Sequence, residues 1–491
     1  MILKPKDSFT SHEIDSGLKA LIRDGLASQA MITLTGGAFL AAFALKLGAS
    51  NMIIGVLAAI PPLAQLIQLP SLYLVERVRN RRGISVYASA AGRLFWLLIA
   101  LIPFFFSPKV GLSVLVVGML LHSAFAAVSN CAWNPWMRDL VPQDQLGSFF
   151  AKRMRLATVL GVVLSIIAGV YIDFWKRAFI SYEMYGYSIL FFLGFVAGML
   201  GVYFISTIPE AKMTTKGQGE SLLEVLLKPF HDVNFKNLTL FSGWWSLSAN
   251  LAAPFFTVYM LKRLELNMSV IIGLTVLSQL VYIVFLGIWG RFSDRFSNKS
   301  VLRVSGPLFL ICIIAWTFTT MPEKYFLTIP LLIVIHILMG VSTAGVNLAS
   351  GSIGLKLAPQ GHAAAFLAGR NFVNSLAMGI APILGGVLAT YFAERELSWT
   401  LRWTGPNSGV AIQTLNFQQW DFFFFIAFLV GLYSIHRLSM VKEFGEVEEG
   451  VVIHELIAEV RRNIRNISSV GGLRQMAQFP FSIMRTPVKR K

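Results

Sequence analysis

The sequence predicts an all-α polytopic membrane protein, twelve transmembrane helices arranged as two pseudo-symmetric six-helix bundles. Three observations predict it. Of 491 residues, 55% are hydrophobic and only 14% charged, with a mean hydropathy of +0.65; soluble globular chains carry about 25% charged residues. Twelve apolar runs are each long enough for a helix to cross about 30 Å of hydrocarbon. One long polar stretch divides them six and six, and residues recur across it at a nearly constant offset.

Residues 1–27 come first and hold no early apolar run of the kind that opens a secretory leader. Ile14, Leu18, Leu21 and Ile22 recur at helical spacing, which predicts a short amphipathic helix along the inner membrane face. The first bundle, residues 28–208, comprises segments 28–49, 51–75, 84–106, 110–136, 150–174 and 186–208. Residues 209–236 read as a cytoplasmic linker with a short helix near 220–228. The second bundle, residues 237–440, comprises segments 237–261, 268–291, 301–320, 325–355, 364–392 and 419–440. Runs this continuous are not the alternating strands of a barrel, so helices must satisfy the backbone in lipid. In the tail, residues 441–491, Ile453, Leu456, Ile457, Val460, Ile464 and Ile467 share a helical face. That face suits either the inner leaflet or the bundle itself, and beyond about residue 470 the composition predicts disorder.

The formal net charge is +17. Its distribution matters more than its size, because the cations flank apolar segments and do not form a nucleic-acid-binding face. The two termini and the loops on their side carry 32 Lys and Arg, against 9 on the other side. This asymmetry predicts cytoplasmic termini and a cell-membrane location, the inner membrane in a bacterium. The 393–418 loop, with Trp399 and Trp403, then faces outside. Cys131 and Cys312 lie 181 residues apart without metal-ligand spacing, and read as packing residues.

The repeat is visible in several places. LVPQDQLGSFFAKR (140–153) aligns with LAPQGHAAAFLAGR (357–370), pairing Pro142 with Pro359, Phe149 with Phe366 and Arg153 with Arg370. At the same offset of 217, Asn130 pairs with Asn347; Gly55 pairs with Gly273 at 218. Most telling are the charged turns GRFSDRFSNK (290–299) and LYLVERVRNR (72–81), in which Glu76 matches Asp294, Arg77 matches Arg295 and Arg81 matches Lys299. Duplicated helical bundles with a site at their interface are a transporter architecture.

These residues resemble the major facilitator superfamily, whose signature between the second and third helices of each half is Gly, three residues, an acid, and then basic residues. Gly290, Asp294, Arg295 and Lys299 fit it. The first copy departs, with Leu72 for Gly and Glu76 for Asp. WNPWMRDLVPQDQLGSFFAKR (133–153) is similar to a bacterial subgroup of uncertain substrate. The resemblance implies a gating latch in which Glu76 meets the start of the eleventh helix and Asp294 the start of the fifth, each carboxylate stabilised by a helix N-terminus. A topological role alone is the competing reading for the cations, chiefly Arg79, Arg82 and Arg303.

Ionisable groups inside a membrane are costly and usually functional. Arg93 lies about 14 Å into the third segment, where it either holds an anionic substrate or anchors the helix. His122 and His336 lie near the middles of segments 4 and 10, symmetry mates that line the central cavity in the family. Each either binds substrate or carries a proton there, or packs between helices against a backbone carbonyl. No Asp or Glu sits near the centre of any segment. Asn130, Asn347, Gln65, Gln279, Asn250 and Asn374 are further polar candidates for the cavity or for interhelical hydrogen bonds. GIAPILGG (379–386) resembles an antiporter motif but sits on the eleventh segment, and reads as a kinked, closely packed helix.

No phosphate loop, HExxH or GxSxG motif is present, so no catalytic residue, cofactor or metal is expected. The expected function is secondary active transport of a small solute by alternating access, in a monomer coupled to a proton or sodium gradient or acting as a uniporter. The rival from another class is a non-transporting membrane receptor or scaffold on the same fold.

Overall fold

A computed structural model describes residues 5–6, 10–142, 146–213, 227–320, 324–359, 363–405 and 409–468. Among these residues, twelve long helices form the bundle. The first half holds α1 (Ser11–Lys46), α2 (Asn51–Val78), α3 (Arg81–Ala100), α4 (Pro108–Leu140), α5 (Leu146–Ala178) and α6 (Ile180–Thr207). The second holds α7 (Val233–Lys262), α8 (Met268–Arg295), α9 (Asn298–Thr319), α10 (Thr328–Leu357), α11 (Ala363–Tyr391) and α12 (Trp420–Ser439). Eleven of them are long and apolar enough to cross a membrane. The other, α7, has 30 residues and packs against α11 and α12, with Ser242, Ser246, Ser248 and Asn250 lowering its apolarity. Residues 220–226 of the expected linker helix, and the tail beyond residue 468, lie outside the described residues.

Helix ends and breaks follow from local chemistry. Residues 1–27 were expected to form a separate interfacial element, yet α1 runs unbroken from Ser11 to Thr35. A capping box starts it: Thr10 Oγ1 accepts from Glu13 N at 3.2 Å, and the Glu13 carboxylate accepts from Thr10 N at 3.0 Å. Gly17, Leu21, Asp24 and Gly25 are buried, so the apolar stripe faces the bundle and not the lipid surface. At Gly36 the helix breaks, and Gly37 takes φ +55°, a conformation only glycine adopts cheaply. Pro61 and Pro62 weaken α2, which tightens into a 3₁₀ turn at Gln65–Ile67 before resuming.

The 393–418 loop is not irregular. Glu396–Thr404 (β1) and Gly409–Gln418 (β2) pair antiparallel, with a register shift between Trp399 and Thr400. Trp399 and Trp403 are 69% and 75% exposed. The all-α reading holds for the bundle, and the hairpin is added outside it.

The two halves converge at one end only. The largest apolar cluster joins both, from Phe43, Trp96 and Phe191 to Phe255, Trp316 and Phe424. At the other end, where α1 begins and α12 ends, the clusters are separate and each belongs to one half: those of Trp136 and Leu140 and of Val75 and Cys131 in the first, that of Phe235 and Trp289 in the second. The latter end is called the terminal face below. At the opposite face α2 and α11 run antiparallel in tight contact. A Cβ at Gly55 would collide with Pro382 O, and one at Gly386 would lie 2.6 Å from Asn51 O. Beside them, Gly169 on α5 admits Ile272 of α8, to which a Cβ would stand 3.1 Å away.

A tail helix, α13 (Glu449–Ser468), follows α12 and lies against the α8–α9 turn.

Candidate functional site

The two charged turns at the terminal face are built on the same plan. In the first half, Arg79 ends α2 in a left-handed cap, and the Asn80 side chain caps α3 by accepting from Gly83 N at 2.7 Å. Glu210, 1% exposed just after α6, accepts from Arg81 N at 2.7 Å and from Arg82 N at 3.0 Å, and pairs with Arg81 Nε at 3.3 Å. In the second half Ser297 caps α9, and Glu443, just after α12, accepts from Lys299 N at 2.7 Å and Asn298 Nδ2 at 2.9 Å. Each half therefore closes on itself through an acid behind its last helix, which satisfies the first amides of its third. Sequence reasoning missed both acids. Their one signal was an acid three to four residues beyond the last span of each half, in IPEA and VKEF.

Arg81 and Lys299, aligned in the sequence, are thus fixed within their own halves, Lys299 also pairing with Glu446 at 2.5 Å. Glu76, Arg77 and Asp294 are exposed, and neither acid has a hydrogen bond or ion pair recorded among the described residues. Gly290 is half-buried, its nearest neighbour across space being Leu348 on α10. Arg295 stacks over Phe296 and pairs with Glu455 of α13 at 3.3 Å. Further rungs join Arg291 to Glu459 at 2.7 Å, Arg303 to Glu449 at 2.6 Å and Lys356 to Glu443 at 3.2 Å. The tail thus docks on the second half through its glutamates, with Val452 buried beneath them.

Inside the first half lies an ionic cluster that no sequence pattern announced. Asp24, ahead of the first expected segment (28–49), is drawn into the bundle because α1 starts at Ser11, and is 2% exposed. Its Oδ2 accepts from Arg153 Nη2 at 3.2 Å, and its Oδ1 lies 4.0 Å from Arg93 Nη2. Arg93 also donates to Gly198 O on α6 and to Ser28 Oγ at 3.0 Å. It is an anchor joining α1, α3 and α6. In the second half Ser242 stands where Asp24 stands, and Arg370, the mate of Arg153, donates to Ser242 Oγ at 2.9 Å and to Ser350 O at 2.8 Å.

The histidines form a symmetric pair with tryptophans. His122 meets Trp96 edge-on at 5.4 Å and 66°, and His336 meets Trp316 at 5.6 Å and 67°. Trp96 Nε1 can only donate, so His122 Nε2 accepts at 3.3 Å and Nδ1 donates to Gly92 O at 2.9 Å. His336 Nδ1 donates to Leu332 O one turn back, at 2.8 Å. Both rings thus rest on a backbone carbonyl, of the neighbouring α3 for His122 and of its own helix for His336.

The amides divide into two groups. Asn250 donates to Ser246 O at 2.8 Å, and Gln65 sits in the 3₁₀ turn of α2, bonded to Gln68. Asn130, Asn347 and Gln279 are exposed, and Asn374 has a buried Oδ1 without a partner among the described residues. No group of three or more metal-ligating side chains occurs among the described residues.

Two six-helix halves, joined at one face and parted at the other, with matching charged turns at the parted end, define the architecture of secondary transporters. The chain belongs to the Major Facilitator Superfamily, whose sequence profile matches residues 25–382 and 245–435. It is 34% identical over 164 residues to the MFS antiporter QDR3 of Candida albicans, a match covering 31% of this chain and 22% of that protein. The fold is similar to that of the nucleoside transporter NupG, with a TM-score of 0.58, 13% identity, and coverage of 87% of this chain and 98% of that one. A bacterial homologue of the iron transporter ferroportin, in an inward-facing state, matches with a TM-score of 0.61 at 13% identity over 88% of this chain and 99% of that one.

Proposed function

We propose that this multi-pass membrane protein moves a small solute by alternating access, and that the arrangement described is the state open toward the terminal face. One observation carries the reading: a single apolar cluster spans both halves at the opposite face, while each cluster at the terminal face belongs to one half alone. The Lys and Arg asymmetry supports a cytoplasmic terminal face. Glu76 and Asp294 stand idle because the helix starts they would cap belong to the other half, across the open mouth. On closure of that mouth Glu76 reaches the start of α11 and Asp294 the start of α5. The exposed amides Asn130, Asn347 and Gln279 fit a polar solute.

The test is a thermal-shift screen of the purified protein against sugars, organic acids, nucleosides and drugs, followed by uptake of any hit into proteoliposomes. Ligand binding to the folded state raises the melting temperature by mass action. Stabilisation with flux supports transport, and stabilisation without flux in either direction, with or without proton and sodium gradients, favours a receptor. Asp294→Asn should bias the protein toward the state open at the terminal face; unchanged accessibility there would remove the latch from the reading.

A further inference from the structure

A contact between the halves at the opposite face uses the same physics as the expected terminal-face latch. Asp173 lies near the end of α5, and α8 of the other half begins at Met268. The Asp173 carboxylate accepts from both of the first two amides of α8, Met268 N at 3.0 Å and Ser269 N at 2.8 Å. Those amides have no partner within their own helix. A carboxylate placed there is stabilised by two hydrogen bonds and by the positive end of the helix. One turn earlier on α5, Gly169 clears the space into which α8 settles.

The start of α8 has a second cap in reserve. Asn267 occupies the N-cap position, is among the residue types best suited to it, and makes no side-chain capping hydrogen bond. Of the two amides that Asp173 holds, Ser269 N is one that an Asn267 side chain could serve instead.

We infer that Asp173 is the gate latch of the opposite face, and that Asn267 replaces it as the cap of α8 when that face opens. This rests on the alternating-access reading above and adds a reciprocal rule to it. With Asp173 engaged, Glu76 and Asp294 have no helix start within reach; with either of those engaged, α5 and α8 have parted at the opposite face. The replacement cap lowers the cost of parting, because Ser269 N passes from one acceptor to another and only Met268 N is left to water. Only one of the two lateral contacts carries such a latch among the described residues. The α2–α11 contact is made by glycines and backbone, and holds by close packing alone.

The experiment uses the full chain in lipid nanodiscs with two spin-label pairs read by pulsed electron resonance. Labels at Lys176 and Lys262 report the opposite face, and labels at Leu72 and Leu355 the terminal face. Asp173→Ala should raise the fraction of widely separated Lys176–Lys262 labels, the open-to-closed ratio growing on the order of tenfold. Asp173→Asn, which keeps one acceptor oxygen and loses the charge, should fall between. If Asp173→Ala does not fold, Asn267→Asp tests the same idea from the other half, because an acid at the cap competes for the amides and repels Asp173. An unchanged Lys176–Lys262 distribution in both Asp173→Asn and Asn267→Asp overturns the inference. Widening at the opposite face with narrowing at the terminal face supports the latch and the rocking motion together. Widening without narrowing supports the latch and overturns the rocking motion.

Discussion

Asp24 accepts a hydrogen bond from Arg153 across the α1–α5 contact, Oδ2 to Nη2 at 3.2 Å, and the aspartate side chain is 3% exposed. With Arg93 on its other oxygen, this carboxylate balances two guanidinium groups packed inside the first half. Removing one member of a buried pair leaves an uncompensated charge, at a cost of about 3 kcal/mol or more. Asp24→Asn should therefore lower the thermal midpoint in detergent far more than loss of a single neutral hydrogen bond would, and static light scattering on a temperature ramp would show it.

The matching site in the second half has a serine. Arg370 is 5% exposed, with Ser242 Oγ and Ser350 O as its recorded acceptors. Ser242→Ala should cost about 1 kcal/mol, the usual worth of one hydrogen bond. Ser242→Asp should restore the acid that the first half has, and so cost less than Ser242→Ala despite adding volume. The order of the three melting temperatures decides the point.

Gly55 and Gly273 occupy equivalent places in the repeat but opposite surroundings. A methyl at Gly55 meets Pro382 O, whereas one at Gly273 meets nothing within 4 Å. Gly55→Ala should push α11 away from α2 and loosen the opposite face. Gly273→Ala should be neutral or stabilising by about 0.5–1 kcal/mol, through helix propensity. Labelling rates of a cysteine placed between the halves separate the two.

The contacts made by the glutamates after α12 are unequal. Arg291 and Arg295 are 60% and 61% exposed at the side chain, and pairs of that kind contribute about 0–1 kcal/mol each. Glu443, 2% exposed at the side chain, serves both a helix start and Lys356. Glu443→Ala should destabilise the protein clearly, and Glu455→Ala or Glu459→Ala barely. High salt should narrow the small effects and leave the large one.

His122 and His336 hold their rings against backbone carbonyls and tryptophan edges. If they act by packing, His122→Gln and His336→Gln should retain solute flux and its pH dependence while lowering the melting temperature. Abolished pH dependence in either would return the proton-carrier role to that residue.

What could be read from the sequence followed how strongly local rules constrain each part. Twelve spans and a duplication were legible because membrane length and charge asymmetry act on whole segments. The N-terminal residues misled, since Leu18 and Leu21 make the same stripe whether a helix lies on lipid or packs on another helix, and only the buried Asp24 tells the cases apart. Alternation of Leu397, Trp399, Leu401 and Trp403 did mark a strand, hidden in a stretch read only as loop. Glu210 and Glu443 escaped because their importance comes from helix starts more than a hundred residues earlier in the chain. Asp173 escaped for the same reason, its partners lying 95 and 96 residues onward.

The docked α13 gives the molecule a handle. Glu449, Glu455 and Glu459 bind second-half cations, so the helix travels with that half while the first half turns against it. Ile453 on this helix is 43% exposed. A dye fixed there would ride on one arm of a lever, and a second dye on α1 would mark the other, turning each transport cycle into a change in fluorescence.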